Sequence, residues 1–168
     1  MIGTVIATVA LGIAPIGQVS DRYIRNFIPV GRSAPDFELP GLKGRNITLR
    51  GREDVKASLI VFWSLGGSPN LPILILANSL NEKHRETLRV IAINHADNKE
   101  QVQQFWSSHD LKIPCGLNQP PQRDVAKDYG VAGYPSVYIL DGKYNVSSAL
   151  YNPKPEQILS ALSSLGIS

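Results

Sequence analysis

Residues Ala57 to Trp63, within "KASLIVFWS", form an unbroken run without a charge or a turn former. A strand with one wet face alternates apolar and polar residues, whereas a run that is apolar on both parities belongs to a strand covered on both faces. Such a strand needs packed layers above and below it, which excludes a helical bundle and a small open sheet. "LRVIAINHAD" repeats the signature. Between the two, Pro72 to Arg85 has helical spacing, with Leu74, Leu76, Ala77 and Leu80 available for a core. Strand, helix and strand with both strands doubly covered predict a parallel pair joined by a crossover, the centre of an α/β sheet.

The rest of the chain extends that sheet. "APDFELPGLKGRNITLRG" predicts two short strands around the turn "PGLKG". "NKEQVQQFWSSHDL" is an amphipathic helix with Val102, Phe105 and Trp106 inward and Asn98 or Asp97 as its cap. "KIPCGLN" is a short strand or turn, and "PPQRDVAKDYGV" a short helix opened by proline and ended by Gly130. "PSVYILD", "DGK" and "YNVSSALYN" read as a hairpin, and "KPEQILSALSSLG" as a last helix closed by Gly166. The order β-β, β-α-β-α, β-α-β-β-α predicts a central mixed sheet with helices on both faces and an N-terminal hairpin extension.

Residues 1–20 begin with "MIGTVIATVALGIAPIG", which carries no charge. Crossing a bilayer takes about 20 apolar residues. A transmembrane anchor, a cleaved signal peptide and a buried or partner-docked helix all fit this segment, with the anchor preferred because a basic leader and a cleavage site are missing. Residues 21–32 read as a linker and 33–168 as the folded domain. Arg22, Arg25 and Arg32 follow the apolar run, which by charge asymmetry places the domain in the cytoplasm. Seventeen Lys and Arg against 14 Asp and Glu give a net charge of +3, and no basic run of nucleic-acid type is present, so nucleic acid is not an expected partner.

The turn between the first covered strand and its helix, "FWSLGGSPNL", is where α/β proteins often hold their chemistry, yet it has no cysteine, histidine, acid or base. Ser68 has no base nearby, and an unactivated serine is a poor nucleophile; it is expected to cap the helix or shape the turn. His84, His95 and His109 fall on separate elements, as surface or element-end residues, and no metal or cofactor is expected. The chain has one cysteine, Cys115, so no internal disulfide can form. Cysteine packs well as a small hydrophobe; a core residue, a regulatory or partner-linked redox thiol, and a catalytic thiol remain open for it.

Three motifs carry a resemblance covering Val30 to Gly166: "VGRSAPDFELPGLKGRNITL", "SLIVFWS" and "VAKDYGVAGYPSVYILDGK". The chain resembles the thioredoxin-like superfamily, in the branch of membrane-tethered thiol-disulfide proteins of the TlpA/ResA type and their peroxiredoxin-related cousins. The resemblance implies a thioredoxin-like fold, an N-terminal anchor, an extracytoplasmic domain, and a cis-proline loop at Tyr134-Pro135 facing the active-site turn. That side assignment opposes the one from the arginines, and the family's is preferred. The family's active segment reads F-W-A-x-W-C-x-P-C. Laid on Phe62 to Asn70 without a gap, Trp63 and Pro69 match. Gly66 replaces the second tryptophan, Gly67 the nucleophilic cysteine and Asn70 the resolving one. Val61 stands where a buried Asp or Asn often assists. Exchange between sulfurs needs a thiolate and a second thiol, and this loop has neither.

Three functions follow as expectations. The first is a catalytically inactive module, tethered to a membrane, acting as an accessory or structural subunit of a membrane protein complex. The second is a residual oxidoreductase using Cys115. The third is a peptide-binding or chaperone module using the groove at Gly66, Gly67, Ser68, Tyr134 and Pro135, because backbone groups beside such a proline can pair with an extended chain.

Overall fold

The computed structural model describes residues 17–52, 54–66, 69–121 and 123–168, with backbone alone for 17–20. Residues 1–16 of the expected anchor, and Gly67 and Ser68 of the turn, lie outside them. Twelve elements follow one another: α1 (Gly17–Ile24), β1 (Glu38–Leu39), β2 (Ile47–Thr48), β3 (Ala57–Trp63), α2 (Asn70–Lys83), β4 (Leu88–His95), α3 (Lys99–Ser108), β5 (Cys115–Asn118), α4 (Val125–Asp128), β6 (Ser136–Asp141), β7 (Val146–Tyr151) and α5 (Pro155–Ser163). The main sheet has the order β5-β4-β3-β6-β7. β3, β4 and β5 run parallel, while β6 and β7 are antiparallel to their neighbours. The β1–β2 hairpin forms a separate two-stranded sheet.

β3 is buried along its whole length, and its side chains divide strictly by parity. Ala57, Leu59, Val61 and Trp63 enter one core with residues of α2, α3 and α5. Ile60 and Phe62 enter the other, with the hairpin and α4. β4 and β6 divide the same way: Val90 and Ile139 fall in the first core, Ile91 and Tyr138 in the second. The expected mixed sheet with helices on both faces is therefore present.

Several boundaries differ from expectation. α2 starts and ends two residues earlier than Pro72–Arg85, because Pro69 takes the N-cap position. That puts Pro72 in the first turn, where its missing N–H would have had no helical partner anyway. Pro69 makes no side-chain capping bond, and the role expected of Ser68 as cap or turn former lies outside the described residues. Ile73, Leu74, Ala77 and Leu80 are buried on α2, while Leu76 is half-buried. On α3, Asn98 rather than Asp97 is the cap, accepting from Glu100 N–H at 3.0 Å and Gln101 N–H at 3.2 Å. α4 is shorter than expected and proline does not open it. Asp124 caps it by accepting from Lys127 N–H at 3.2 Å, since a carboxylate satisfies an end N–H and proline cannot. Pro120-Pro121 forms a cis-linked turn ahead of it.

Residues 21–32, expected as a linker, are packed on the domain. Tyr23 stacks on Tyr151 with ring centroids 4.3 Å apart. Phe27 lies 5.3 Å from Tyr138. The Tyr138 hydroxyl accepts from Ile28 N–H at 2.9 Å and donates to the Tyr129 carbonyl at 2.5 Å. Gly130, at φ +66°, lies so close to this segment that an added Cβ would sit 1.7 Å from the Asn26 carbonyl oxygen. Aromatic rings and a buried hydroxyl give the segment partners that a free spacer would lack. Among the described residues no helix is long and apolar enough to cross a membrane.

Replacing Tyr138 by Phe should leave the Ile28 N–H and the Tyr129 carbonyl without their partner and cost about 1–3 kcal/mol. Urea denaturation measures the loss, and hydrogen exchange at the Ile28 amide should accelerate with it. An unchanged Ile28 exchange rate would show that the segment is held by other means.

Candidate functional site

Phe62 and Trp63 end β3, and the chain leaves the sheet through Ser64, Leu65 and Gly66. Trp63 is wholly buried, stacked on Phe105 at 5.1 Å and Trp106 at 5.4 Å. Two polar links then fix the loop. Asp97, in the turn after β4, accepts from Leu65 N–H at 2.6 Å and from the Asn94 side-chain amide at 2.7 Å. Hydrogen bonds to a carboxylate are short and stronger than neutral ones. Asn70, the first residue of α2, is buried and donates its side-chain N–H back to the Ser64 carbonyl at 2.7 Å. The Asn70 amide thus ties the start of α2 to the end of β3. A cavity of about 370 Å³ opens between Trp63, Leu65, Pro69, Asn70 and Phe105.

Pro135 follows a cis bond from Tyr134 and is itself buried. The Tyr134 ring stacks on His95 at 5.4 Å. Burial, with help from the Asp124 and Asp97 carboxylates, pushes the Tyr134 phenol well up, so it is a neutral hydroxyl. His95 Nδ1 faces the Asn118 side-chain nitrogen at 2.8 Å. Asn118 is fixed by donating to Asp124 at 3.0 Å and accepting from Val125 N–H at 2.9 Å. Its NH₂ therefore donates to His95 Nδ1, which places the imidazole proton of the neutral ring on Nε2. Partial burial works to raise the Asp124 carboxyl, but hydrogen bonds from Asn118 and Lys127, with His95 nearby, hold it below the usual carboxylate range.

Cys115 lies away from the turn, opposite Ala92 in the β4–β5 pair. It is 4% exposed, and burial pushes its thiol up to about 12, against weak opposing pulls from the Trp63 indole and the Asn94 backbone N–H. A thiolate is the reactive form of cysteine, and this environment withholds it. Among the described residues no group of His, Cys, Asp or Glu is arranged to hold a metal ion.

The structure thus brings Trp63, Gly66, Pro69 and Asn70 to one end of the sheet, which the cis-proline loop also approaches, and leaves Cys115 in the core. It adds Asn94, His95, Asp97, Asn118 and Asp124, none of which was singled out as a site residue. Asn94, His95 and Asn118 end β4 and β5, and Asp97 and Asp124 follow them, at the carboxyl edge where open α/β sheets place their ligands. That position was the available signal.

The model of the AhpC/TSA family matches residues 30–149. The chain belongs to this family. As an AhpC/TSA protein it is 30% identical over 119 residues to thioredoxin-like protein YneN of Bacillus subtilis, covering 69% of this chain and 68% of that one. It is 26% identical over 113 residues to thiol-disulfide oxidoreductase ResA of Bacillus thuringiensis, covering 67% of this chain and 64% of ResA. The chain therefore spans slightly less than two thirds of that relative's length. An uncharacterized conserved protein from Geobacillus kaustophilus shares the fold, with a TM-score of 0.72 at 21% identity over 83% of each chain. The fold is thioredoxin-like, and the family is one of thiol-disulfide oxidoreductase-like proteins.

In this AhpC/TSA chain, Asp97→Ala should free the Leu65 N–H and the Asn94 amide together and cost about 1.5–3 kcal/mol. Faster exchange at the Leu65 amide, without change at the centre of β3, is the expected signature. Cys115 makes a second prediction. Its ordinary value is 9.0 and its folded value about 12, so within that window the unfolded chain loses a proton that the folded chain keeps. Stability should fall as pH rises through the window, at up to about 1.4 kcal/mol per pH unit. Cys115→Ala should flatten that slope in urea midpoints, and a maleimide should label the native protein only after unfolding.

Proposed function

We propose that this chain is a thioredoxin-like module that has left thiol chemistry and acts by contact, as a membrane-tethered accessory or structural subunit of a membrane protein complex. The domain lies on the extracytoplasmic side, tethered through residues 1–20. The observation that carries the reading is the state of sulfur in the chain. The loop that would need two thiols has none, and the single cysteine is a protonated core residue of β5.

What replaces the thiols favours contact over turnover. Asp97 holds Leu65 and Asn70 holds Ser64, each by one short hydrogen bond, and Asn94 fixes the Asp97 carboxylate in turn. A fixed surface loses less conformational entropy when a partner docks than a loop that must rearrange. The docking surface is the rim made by Gly66, Pro69 and Tyr134, with His95 Nε2–H and the Asp124 carboxylate beside it as a donor and an acceptor for a partner's backbone.

The purified chain should reduce neither insulin nor a hydroperoxide above background. Gentle detergent extraction of native membranes should recover it with a larger assembly, and Tyr134→Asp should release it from that assembly while the domain stays folded, as its urea unfolding transition reports. Recovery as a solitary monomer, or robust turnover of a disulfide, would sink the reading.

A further inference from the structure

A second concavity lies at the β5 edge of the sheet. The turn of the β1–β2 hairpin folds over β5: Leu42 N–H donates to the Cys115 carbonyl and Leu117 N–H to the Pro40 carbonyl, both at 2.8 Å. These bonds cap the edge strand but leave a hollow of about 350 Å³ between the turn, the end of α3 and the segment before β5. That volume falls within the range of small-molecule sites. It is lined by Leu42 and Ile47 of the hairpin, by Trp106 of α3, and by Ile113, Pro114 and the buried Cys115.

The rim has a different chemistry. Lys43, Arg45 and Lys112 all border the opening. Lys112 is partly neutralised by Asp110, 3.3 Å away. Lys43 and Arg45 have no ion-pair partner among the described residues, and both are exposed. Cys115 adds no charge to the lining, since its thiol stays protonated well above neutral pH. An apolar hollow under unpaired cations is complementary to a molecule with an apolar body and one anionic end. The cations attract the anion and the walls desolvate the body.

We propose that this hollow is a binding site for a small free monocarboxylate with a short acyl chain, its carboxylate held by Lys43 and Arg45 and its chain lying against Trp106, Ile113 and Cys115. The site is independent of the thiol-free loop, and its occupancy does not require the contact role described above.

The test uses the full chain and octanoate. Octanoate should bind saturably in calorimetry. It should shift the amide resonances of Leu42, Ile113 and Gly116 and the indole resonance of Trp106, with the resonances of Tyr134 and His95 unmoved. Octylamine, equal in chain length and opposite in charge, should not bind. Lys43→Glu with Arg45→Glu, both on the exposed turn, should weaken octanoate by roughly tenfold or more from the reversed charge alone. Ile47→Trp, which fills the hollow without touching a cation, should weaken it as well; each variant's amide spectrum reports that it is folded. The proposal is overturned by any of three results: no saturable octanoate binding, octylamine binding as tightly, or unchanged binding in the folded charge-reversed variant. Shifts centred on Tyr134 instead would assign the ligand to the other site and overturn it equally.

Discussion

All seven residues of β3 are buried, and the backbone of such a strand can satisfy its polar groups only through neighbours on both edges. β4 and β6 supply those neighbours, one parallel and one antiparallel, in a continuous register from Ala57 to Phe62 and beyond. Once β3 is sealed in this way, two separate cores are obligatory, since alternate side chains point to opposite faces. α2, α3 and α5 close one, and the hairpin and α4 close the other. The loop after Trp63 has its position because β3 ends there, and so does the rim that faces Pro135.

The turn at that end carries no sulfur, and its polar links are an amide and a carboxylate: the Asn70 side chain ties the start of α2 to the Ser64 carbonyl. Asp97 pins the same loop from the adjacent strand end. Carboxylate and amide links are indifferent to redox potential, whereas a thiol pair changes covalent state with it. The links at Ser64 and Leu65 are thus indifferent to the oxidation state of their surroundings.

Periodicity made the strands readable: β3, β4 and β6 are runs whose two parities are both apolar, and no other element produces that pattern with such short lengths. Composition likewise exposed the missing thiols. The misplaced boundaries share one cause, namely that a helix start is set by one or two residues, by a side-chain cap at Asp124 and without one at Pro69. Pro69 and Asp124 took the cap positions of α2 and α4, and neither choice alters the hydrophobic period. The network of Asp97, Asn94 and Asn70 was not legible, because polar partners that meet only after folding leave no local signature. The same holds for Tyr23 and Phe27, whose partners Tyr151 and Tyr138 are more than a hundred positions away. The hollow beside Cys115 exists only once the hairpin turn has crossed β5, so its cations read as scattered surface charge along the chain.

The docked segment from Gly17 to Arg32 has a mechanical consequence. Tyr23 lies on Tyr151, and an added Cβ at Gly133 would meet either ring at 2.7 Å. Two residues further on is Pro135. Tyr23, Tyr151 and the glycine that precedes the proline loop therefore share one contact, so any partner that lifts Tyr23 away also uncovers the flank of that loop.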